Sequence, residues 1–187
     1  MSDPKNKQLY DLSTFRVLIA EDFPFVADLL SSCLVEMGVG HVQASENGEK
    51  AKEKILNFNA VSSSSNFDVL ILDWLMPEMD GETLLNWIRN HRSDSIKFLP
   101  VIVCTSYASR EMVEKVRDLG ANEVMVKPVS AEKIARRIKY VIDNPRPYIK
   151  ASDFFGPDRR RRSEAYKGEE RRKTKAEEID THVEELE

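Results

Sequence analysis

Short, continuously apolar runs alternate with segments of helical periodicity through most of this chain, and that alternation constrains its fold more than any other feature. Five runs have the length and composition of strands that are buried on both faces of a parallel sheet. They cover residues 16–20, 41–44, 68–72, 100–104 and 123–126. Five amphipathic segments accompany them. We therefore predict an α/β fold, in which helices cover both faces of a doubly wound, five-stranded parallel sheet.

The predicted helices carry apolar residues at helical spacing. In the first helix, the residues expected to face the sheet are Phe25, Leu29, Cys33 and Met37. In the last helix, they are Ile134, Ile138, Val141 and Ile142. Both sets recur every one to four residues along one side of a helix, so each predicts a face buried against the sheet.

The distribution of charge divides the chain into three parts. Residues 1–13 form a polar N-terminal segment, and residues 14–144 contain all the predicted strands and helices. Residues 145–187, the C-terminal tail, are more than half charged, with a basic stretch at 159–175 and an acidic stretch at 176–187. Charge blocks of this kind are typical of disordered or singly helical segments. We expect one compact domain followed by a disordered or partly helical tail.

Several classes of protein are excluded at this stage. No apolar run approaches the roughly 18 residues of a transmembrane helix, and the first residues lack the apolar stretch of a secretory signal. We therefore expect a cytoplasmic protein that does not insert into a membrane. Cys33 and Cys104 lie far apart in apolar segments, so we interpret them as small buried side chains rather than as a disulfide or a metal site.

Polar residues follow four of the five predicted strands. The first strand runs into Glu21 and Asp22, the third into Asp73, the fourth into Thr105 and the fifth into Lys127. The carboxyl ends of parallel strands share one edge of a sheet, and ligands of open α/β sheets bind there. Any one of these residues alone is most often a cap or a turn former. Their joint occurrence indicates a functional site.

The residue types at this edge suit phosphoryl transfer. Three clustered carboxylates repel one another and need a cation to stay ionised. Mg²⁺ fits, because it binds oxygen ligands, tolerates an incomplete protein shell and coordinates phosphate oxygens. Lys127 would supply a second, fixed positive charge, and Thr105 a hydrogen-bond donor to an incoming anion. Positioning and charge neutralisation carry most of the catalysis in phosphoryl transfer.

The sequence resembles the receiver domains of bacterial two-component response regulators. It is similar to the stand-alone, CheY-like members of that family. The resemblance covers about residues 14–144. Residues 73–81, Asp-Trp-Leu-Met-Pro-Glu-Met-Asp-Gly, match the family's loop around its phosphoacceptor aspartate. Glu21-Asp22 matches its acidic pair, Cys104-Thr105-Ser106 its switch threonine, and Lys127-Pro128 its lysine and cis proline. The resemblance implies a flavodoxin-like (βα)5 fold with strand order 2-1-3-4-5.

The resemblance also implies a role for each matching residue. Asp73 would accept a phosphoryl group from a sensor histidine kinase or a histidine phosphotransfer protein. Asp22, Asp73, the backbone carbonyl of Leu75 and, through water, Glu21 would bind Mg²⁺. Lys127 would bridge to the phosphoryl oxygens and Thr105 would hydrogen-bond them. Such a protein is a phosphorelay signal transducer rather than an enzyme, and it acts through a downstream protein target.

Three positions depart from the family pattern or tune it. Val124 stands three residues before Lys127, where the family usually has an aromatic residue that moves with the threonine. A β-branched valine has few rotamers and does not report burial as a ring does. Leu75 and Tyr107 stand two residues after Asp73 and Thr105, where the family flanks the path of the hydrolytic water. Both are bulky, which predicts slow self-dephosphorylation.

Two other functions remain open from the sequence. A nucleic-acid-binding regulator would use the arginine-rich stretch after Phe154-Phe155-Gly156-Pro157-Asp158, a segment that we also weigh as a docking peptide or as a solvated tail. The acidic balance of residues 1–144 favours the signalling interpretation. A receiver that never takes phosphate is disfavoured, because no site residue is missing. The kinase, the target and the oligomeric state, monomer or homodimer, are not identified by the sequence.

Overall fold

The computed structural model of the chain describes residues 11–61, 66–107, 109–151, 154–158 and 180–182. Eleven elements form the main body. They are β1 (Arg16–Ala20), α1 (Pro24–Glu36), β2 (His41–Ser45), α2 (Gly48–Val61), β3 (Val69–Asp73), α3 (Gly81–Arg89), α4 (Asp94–Lys97), β4 (Val101–Thr105), α5 (Arg110–Asp118), β5 (Glu123–Val126) and α6 (Ala131–Asp143). A second, small sheet follows from β6 (Tyr148–Ala151), β7 (Phe154–Pro157) and β8 (Asp180–His182).

The main sheet has five parallel strands in the order β2-β1-β3-β4-β5. This confirms the doubly wound α/β fold and the flavodoxin-like order 2-1-3-4-5. The predicted strands agree with the observed ones to within one residue at each end. The short helix α4 adds a sixth helix to the five that were predicted. It lies between α3 and β4, where the sequence has no long amphipathic segment.

Residues alternate along each strand between two apolar cores, one on each face of the sheet. Leu18, Leu70 and Val103 belong to the core that α2, α3 and α5 cover. Ile19 and Ile71 belong to the core that α1 and α6 cover. Because side chains of a strand point to opposite faces in turn, strands buried on both sides are apolar throughout. The three central strands β1, β3 and β4 are buried along almost their whole length.

The predicted apolar face of α1 is wrong in part. Phe25 is 71% exposed and Leu29 is 42% exposed, and the buried residues of this helix are Ala27, Leu30, Cys33 and Leu34. The helix carries apolar residues on two sides, so its periodicity did not distinguish the side that faces the sheet. The prediction for α6 is confirmed, since Ile134 and Ile138 are buried and Val141 and Ile142 pack against the same core. Both cysteines are free and buried, as expected.

The expected disordered or partly helical tail is corrected by the structure for residues 148–151 and 154–158. Strands β6 and β7 form an antiparallel hairpin, and β8 pairs with the other edge of β6. Apolar residues of the hairpin pack against the main domain, and this contact explains why the segment is ordered. Tyr148, for example, is only 7% exposed. The arginine-rich stretch at 159–175 and residues 62–65 lie outside the described residues. The boundary between residues 144 and 145 remains a prediction.

The buried guanidinium of Arg89 organises the end of the sheet where the strands begin. It donates hydrogen bonds to the carbonyl oxygens of Gly120, Lys97 and Leu99, each at 2.8 Å. It also donates to Asn122 Oδ1 at 3.0 Å, and the same oxygen accepts the N–H of Val101 at 2.9 Å. Burial lowers the pKa of Arg89. The carbonyl oxygens compensate for the lost hydration, because buried donors need partners.

The hairpin docks on this arginine and its partners. Tyr148 stacks over the Arg89 guanidinium at 5.4 Å and donates its hydroxyl to the carbonyl oxygen of Phe98 at 2.8 Å. Asn122 Nδ2 donates to the same hydroxyl at 3.3 Å. Phe155 meets Phe98 edge to face at 5.2 Å. The hairpin is therefore held both by a polar network and by aromatic contacts.

Two glycines let the hairpin approach the domain closely. A Cβ on Gly156 would lie 2.7 Å from the Cα of Gly120, and a Cβ on Gly120 would lie 2.7 Å from the carbonyl oxygen of Phe155. Gly120 also has a φ of +90°, in the left-handed region that favours glycine. A side chain at either position would separate the two backbones.

The linker before the hairpin is tied to β5 by charge. Arg146 pairs with Glu123 at 3.1 Å and donates to the carbonyl oxygens of Asn122 and Asp158. Glu123 is buried and also pairs with Arg137 of α6 at 2.8 Å. Arg146 thus joins the first residue of β5 to the residue that follows β7.

The helices that the structure describes are too short or too polar to serve as membrane spans.

We predict that Tyr148→Phe destabilises the protein by about 1 to 2 kcal/mol, because it leaves the buried carbonyl of Phe98 without that donor. For a chain of this length, each kcal/mol lowers the melting temperature by about 2 to 4 °C. Thermal unfolding of the full chain measures the change. Tyr107→Phe is the matched control, since Tyr107 is 60% exposed. Equal melting temperatures for the two variants would contradict the role given to Tyr148.

Candidate functional site

The carboxyl ends of four strands meet at one edge of the sheet and bring the predicted site residues together. Glu21 and Asp22 follow β1, Asp73 is the last residue of β3, and Thr105 is the last residue of β4. Lys127 follows β5, and its N–H donates to the carbonyl oxygen of Thr105 at 2.8 Å. The outer strand β2 contributes no predicted site residue. The parallel register places these ends side by side, as the sequence predicted.

The ammonium group of Lys127 lies between two of the acids. It contacts Asp73 Oδ2 at 2.9 Å and the two carboxylate oxygens of Glu21 at 2.8 and 3.0 Å. Residues 21 and 73 are both almost completely buried, with exposed fractions of 3% and 7%. One ammonium thus joins β1, β3 and β5 at the site. Charge-assisted hydrogen bonds of this kind offset part of the penalty for burying two carboxylates.

Asp22 completes a cluster of three acids. One carboxylate oxygen from each of Glu21, Asp22 and Asp73 lies within 4.8 Å of the others. Asp22 is exposed, so it borders the solvent side of the cluster. Three carboxylates against one ammonium leave a local charge of about −2 when all four groups are ionised. A divalent cation would neutralise this charge, and three carboxylate oxygens are ligands that Mg²⁺ prefers. The donor set therefore fits Mg²⁺.

The electrostatics of the site follow from burial and from this pairing. Burial raises the pKa of Glu21, and the neighbouring Asp73 carboxylate adds to the rise, while Lys127 opposes it. Burial alone would lower the pKa of Lys127, but its hydrogen bonds with Glu21 and Asp73 outweigh that effect, so the pKa is raised. Lys127 therefore stays protonated at neutral pH and keeps a positive charge next to Asp73.

Asp73 is held by its own neighbours. Its Oδ1 accepts the N–H of Trp74 at 2.7 Å, and the same N–H lies 3.0 Å from the carbonyl oxygen of Cys104. Its other oxygen, Oδ2, contacts Lys127. Gly81 packs against the backbone here: a Cβ on it would lie 2.5 Å from the carbonyl oxygen of Asp73. The aspartate is fixed on both oxygens and lies at the base of the acid cluster.

Thr105 is buried beside this group, and its hydroxyl oxygen accepts the N–H of Tyr107 at 3.1 Å. The side chains of Leu75 and Tyr107 are 55% and 60% exposed, so both lie at the solvent boundary of the site. Val124, at the position where an aromatic residue is usual, is half-buried and packs against the core shared by α3 and α5.

Cys104 pairs with Asp73 across β3 and β4 and is a second side chain of nucleophilic type at this edge. It is completely buried, and burial raises the pKa of its thiol to about 12. Because the thiolate is the reactive form of cysteine, this thiol does not compete at neutral pH.

The sequence did not single out a contact that holds the loop after β3. Asn47 Nδ2 donates to Glu78 Oε2 at 2.9 Å, and Glu78 has a φ of +63°. Asn47 is almost completely buried, and nothing in its residue type distinguishes this role from helix capping. A polar residue before a glycine is the available signal in the sequence, and it indicates a turn as readily as a contact with another loop.

Comparisons with known proteins agree with this geometry. Residues 17–139 match the family model of the response regulator receiver domain. Chemotaxis protein CheY of Pseudomonas aeruginosa is 28% identical over 128 residues, which are 68% of this chain and 96% of that protein. Chemotaxis protein CheY-3 of Vibrio cholerae is 27% identical over 128 residues, which are 68% of this chain and 92% of that protein.

Solved structures show the same likeness. The complex of CheX, CheY, BeF3 and Mg²⁺ from Borrelia burgdorferi contains a chain that is 28% identical, with a TM-score of 0.60 over 68% of this chain and 89% of that one. A putative response regulator from Chloroflexus aurantiacus is 28% identical, with a TM-score of 0.61 over 70% of this chain and 98% of that one. The chain belongs to the family of response regulator receiver domains.

Proposed function

We propose that Asp73 accepts a phosphoryl group from a sensor histidine kinase or a histidine phosphotransfer protein, and that Mg²⁺ assists the transfer. The observation that carries this proposal is the contact between the Lys127 ammonium and Asp73 Oδ2 at 2.9 Å, inside a cluster of three acids. Family membership supports the same conclusion, since the chain is a receiver of two-component signal transduction.

Each residue has a distinct part in the proposed transfer. A carboxylate oxygen of Asp73 attacks phosphorus, the bond between phosphorus and the donor's imidazole nitrogen breaks, and the electron pair of that bond stays on the nitrogen. The product is an acyl phosphate on Asp73. Lys127 neutralises negative charge on the phosphoryl oxygens and orients Asp73. Positioning and charge neutralisation carry most of the catalysis in phosphoryl transfer. Bound Mg²⁺ would supply further neutralisation, held by Glu21, Asp22, Asp73 and the carbonyl of Leu75.

Thr105 and the surface next to it would carry the signal onward. A phosphoryl group adds about −1.5 to −2 charges and three acceptor oxygens at one edge of the sheet. We infer that the Thr105 hydroxyl, which now accepts from Tyr107, turns to donate to those oxygens. Because Val124 stands at the usual aromatic position, we infer that Tyr107, which is 60% exposed, takes over part of this response. This local change would shift the neighbouring surface between two conformations. The output would be binding of a protein target to one of them.

The proposed partners of this site are other proteins. The Borrelia relative is seen in complex with CheX, which illustrates a receiver bound to another protein. The alternative of a nucleic-acid-binding regulator depends on residues 159–175, which lie outside the described residues. Nothing in the described part of the chain supports that alternative.

We predict that the protein becomes phosphorylated on Asp73 in the presence of Mg²⁺ and a small phosphodonor, and that Asp73→Asn abolishes the modification. The amide is a poor nucleophile and lacks the carboxylate that attacks phosphorus. Intact-mass measurement detects the added phosphoryl group. Asp80→Asn is the control, because Asp80 caps α3 in the same loop and lies outside the acid cluster. Equal labelling of Asp73→Asn and wild type would refute the assignment.

We predict that Mg²⁺ binds weakly and that Asp22→Ala weakens it further, because few protein ligands are available and water fills the other positions. Trp74 follows Asp73 in the chain and its indole is buried, so we expect its fluorescence to follow the titration. Losing one carboxylate should lower the affinity roughly tenfold, in the range of a charged hydrogen bond or ligand. An Asp22→Ala protein that binds Mg²⁺ as tightly as wild type would contradict the ligand set.

We predict that the phosphorylated protein loses phosphate slowly, because Leu75 and Tyr107 offer no carboxylate or amide to orient water. Replacing both residues, Leu75→Asn with Tyr107→Glu, should raise the rate roughly tenfold or more. The loss of phosphate from both proteins is timed after the donor is removed. If the wild type hydrolyses as fast as the double variant, these two side chains do not control access of water.

A further inference from the structure

We propose that Glu78 is a positioning residue for the proposed phosphoryl transfer: its hydrogen bond with Asn47 holds the loop that carries Leu75, and thereby supports Mg²⁺ binding. This inference deepens the proposed function and rests on it. The loop, residues 74–80, connects the end of β3 to the start of α3. It includes the backbone carbonyl assigned above to the metal ion.

The two ends of the loop are fixed without Glu78. At one end, the N–H of Trp74 bonds to Asp73 Oδ1 and to the carbonyl oxygen of Cys104. At the other end, Gly81 N–H donates to the carbonyl oxygen of Trp74 at 3.1 Å. Asp80 Oδ1 accepts the N–H of Thr83 and caps α3. The intervening residues need restraint from another element of the fold.

That restraint comes from the turn between β2 and α2. Asn47 Nδ2 donates to Glu78 Oε2 at 2.9 Å, and Gly48 N–H donates to the carbonyl oxygen of Met79 at 3.1 Å. A Cβ on Gly48 would lie 2.5 Å from that same carbonyl oxygen, so the two backbones are in close contact. Two adjacent residues of the loop are thus bonded to two adjacent residues of the turn.

The anchor on the turn is itself rigid. Asn47 is 3% exposed, and its Oδ1 accepts the N–H of Lys50 at 2.8 Å in the first turn of α2. With one end of its amide engaged in capping, the other end has a fixed direction toward Glu78. A donor held in this way costs little further entropy when it bonds.

The backbone of Glu78 is consistent with a residue kept for its side chain. Its φ of +63° lies in the left-handed region, which is unfavourable for a residue with a Cβ. Glycine would adopt this conformation freely but has no carboxylate to accept from Asn47. The hydrogen bond therefore offsets backbone strain at a position next to the reaction site.

The first experiment compares Glu78→Ala with Glu78→Gln. Both variants remove the charge and keep a Cβ, but only glutamine retains an oxygen that accepts from Asn47 Nδ2. We expect Glu78→Ala to bind Mg²⁺ about three to ten times more weakly than Glu78→Gln, the range that one hydrogen bond contributes. Titration followed by Trp74 fluorescence gives the affinities. Equal affinities for the two variants would overturn the proposal.

The second experiment reverses the hydrogen bond. Asn47→Asp keeps an oxygen to cap Lys50 but cannot donate to Glu78, so we expect weaker Mg²⁺ binding. Adding Glu78→Gln restores the pair with opposite polarity, because the glutamine amide donates to the new carboxylate. The double variant also has the net charge of the wild type. We expect it to recover most of the affinity, and a double variant as weak as Asn47→Asp alone would overturn the proposal.

A third measurement needs neither Mg²⁺ nor phosphate. Amide hydrogen exchange at Gly48 reports the bond that joins the turn to the carbonyl oxygen of Met79, and we expect it to be faster in Glu78→Ala than in Glu78→Gln. Unchanged exchange would overturn the role of Glu78. A wild-type protein that does not bind Mg²⁺ would instead refute the proposed function. The two failures are therefore distinguishable.

Discussion

The rest of this site depends on one interaction, the pairing of the Lys127 ammonium with two buried carboxylates. It joins the ends of β1, β3 and β5 through Glu21 and Asp73, two carboxylates that are both nearly excluded from water. Without it, neighbouring buried carboxylates would repel each other and bind protons. With it, two of the three acids have a cationic partner within hydrogen-bond distance, and both oxygens of Asp73 are held in place. One charge thus fixes both the geometry and the chemistry of this edge.

Most of the fold and of the site could be predicted because they depend on local patterns. Strands buried on both faces are continuously apolar, so their positions were predicted to within one residue. Because the strands are parallel, the residues at their carboxyl ends lie at one edge of the sheet, and this does not depend on how the side chains pack. Glu21, Asp73 and Lys127 were identified together for that reason. Leu75 was assigned from a motif, and its metal-binding carbonyl remains a proposal.

The features that were missed depend on long-range packing. The face of α1 could not be chosen from periodicity, because Phe25 and Leu29 are as apolar as the residues that the structure buries. The hairpin of β6 and β7 looked like part of a charged tail, since its contacts with Arg89 and Asn122 join residues far apart in the sequence. The bond between Asn47 and Glu78 also spans two loops. Composition and spacing do not identify the partners in any of these contacts.

Gly120 has two structural reasons to be glycine, and they come from different parts of the fold. It follows the last turn of α5 with a positive φ, and helices commonly end on glycine for that reason alone. The same residue also lies against the hairpin, where a Cβ on it would come 2.7 Å from the carbonyl oxygen of Phe155. A substitution there is therefore opposed twice, once by the end of the helix and once by the hairpin.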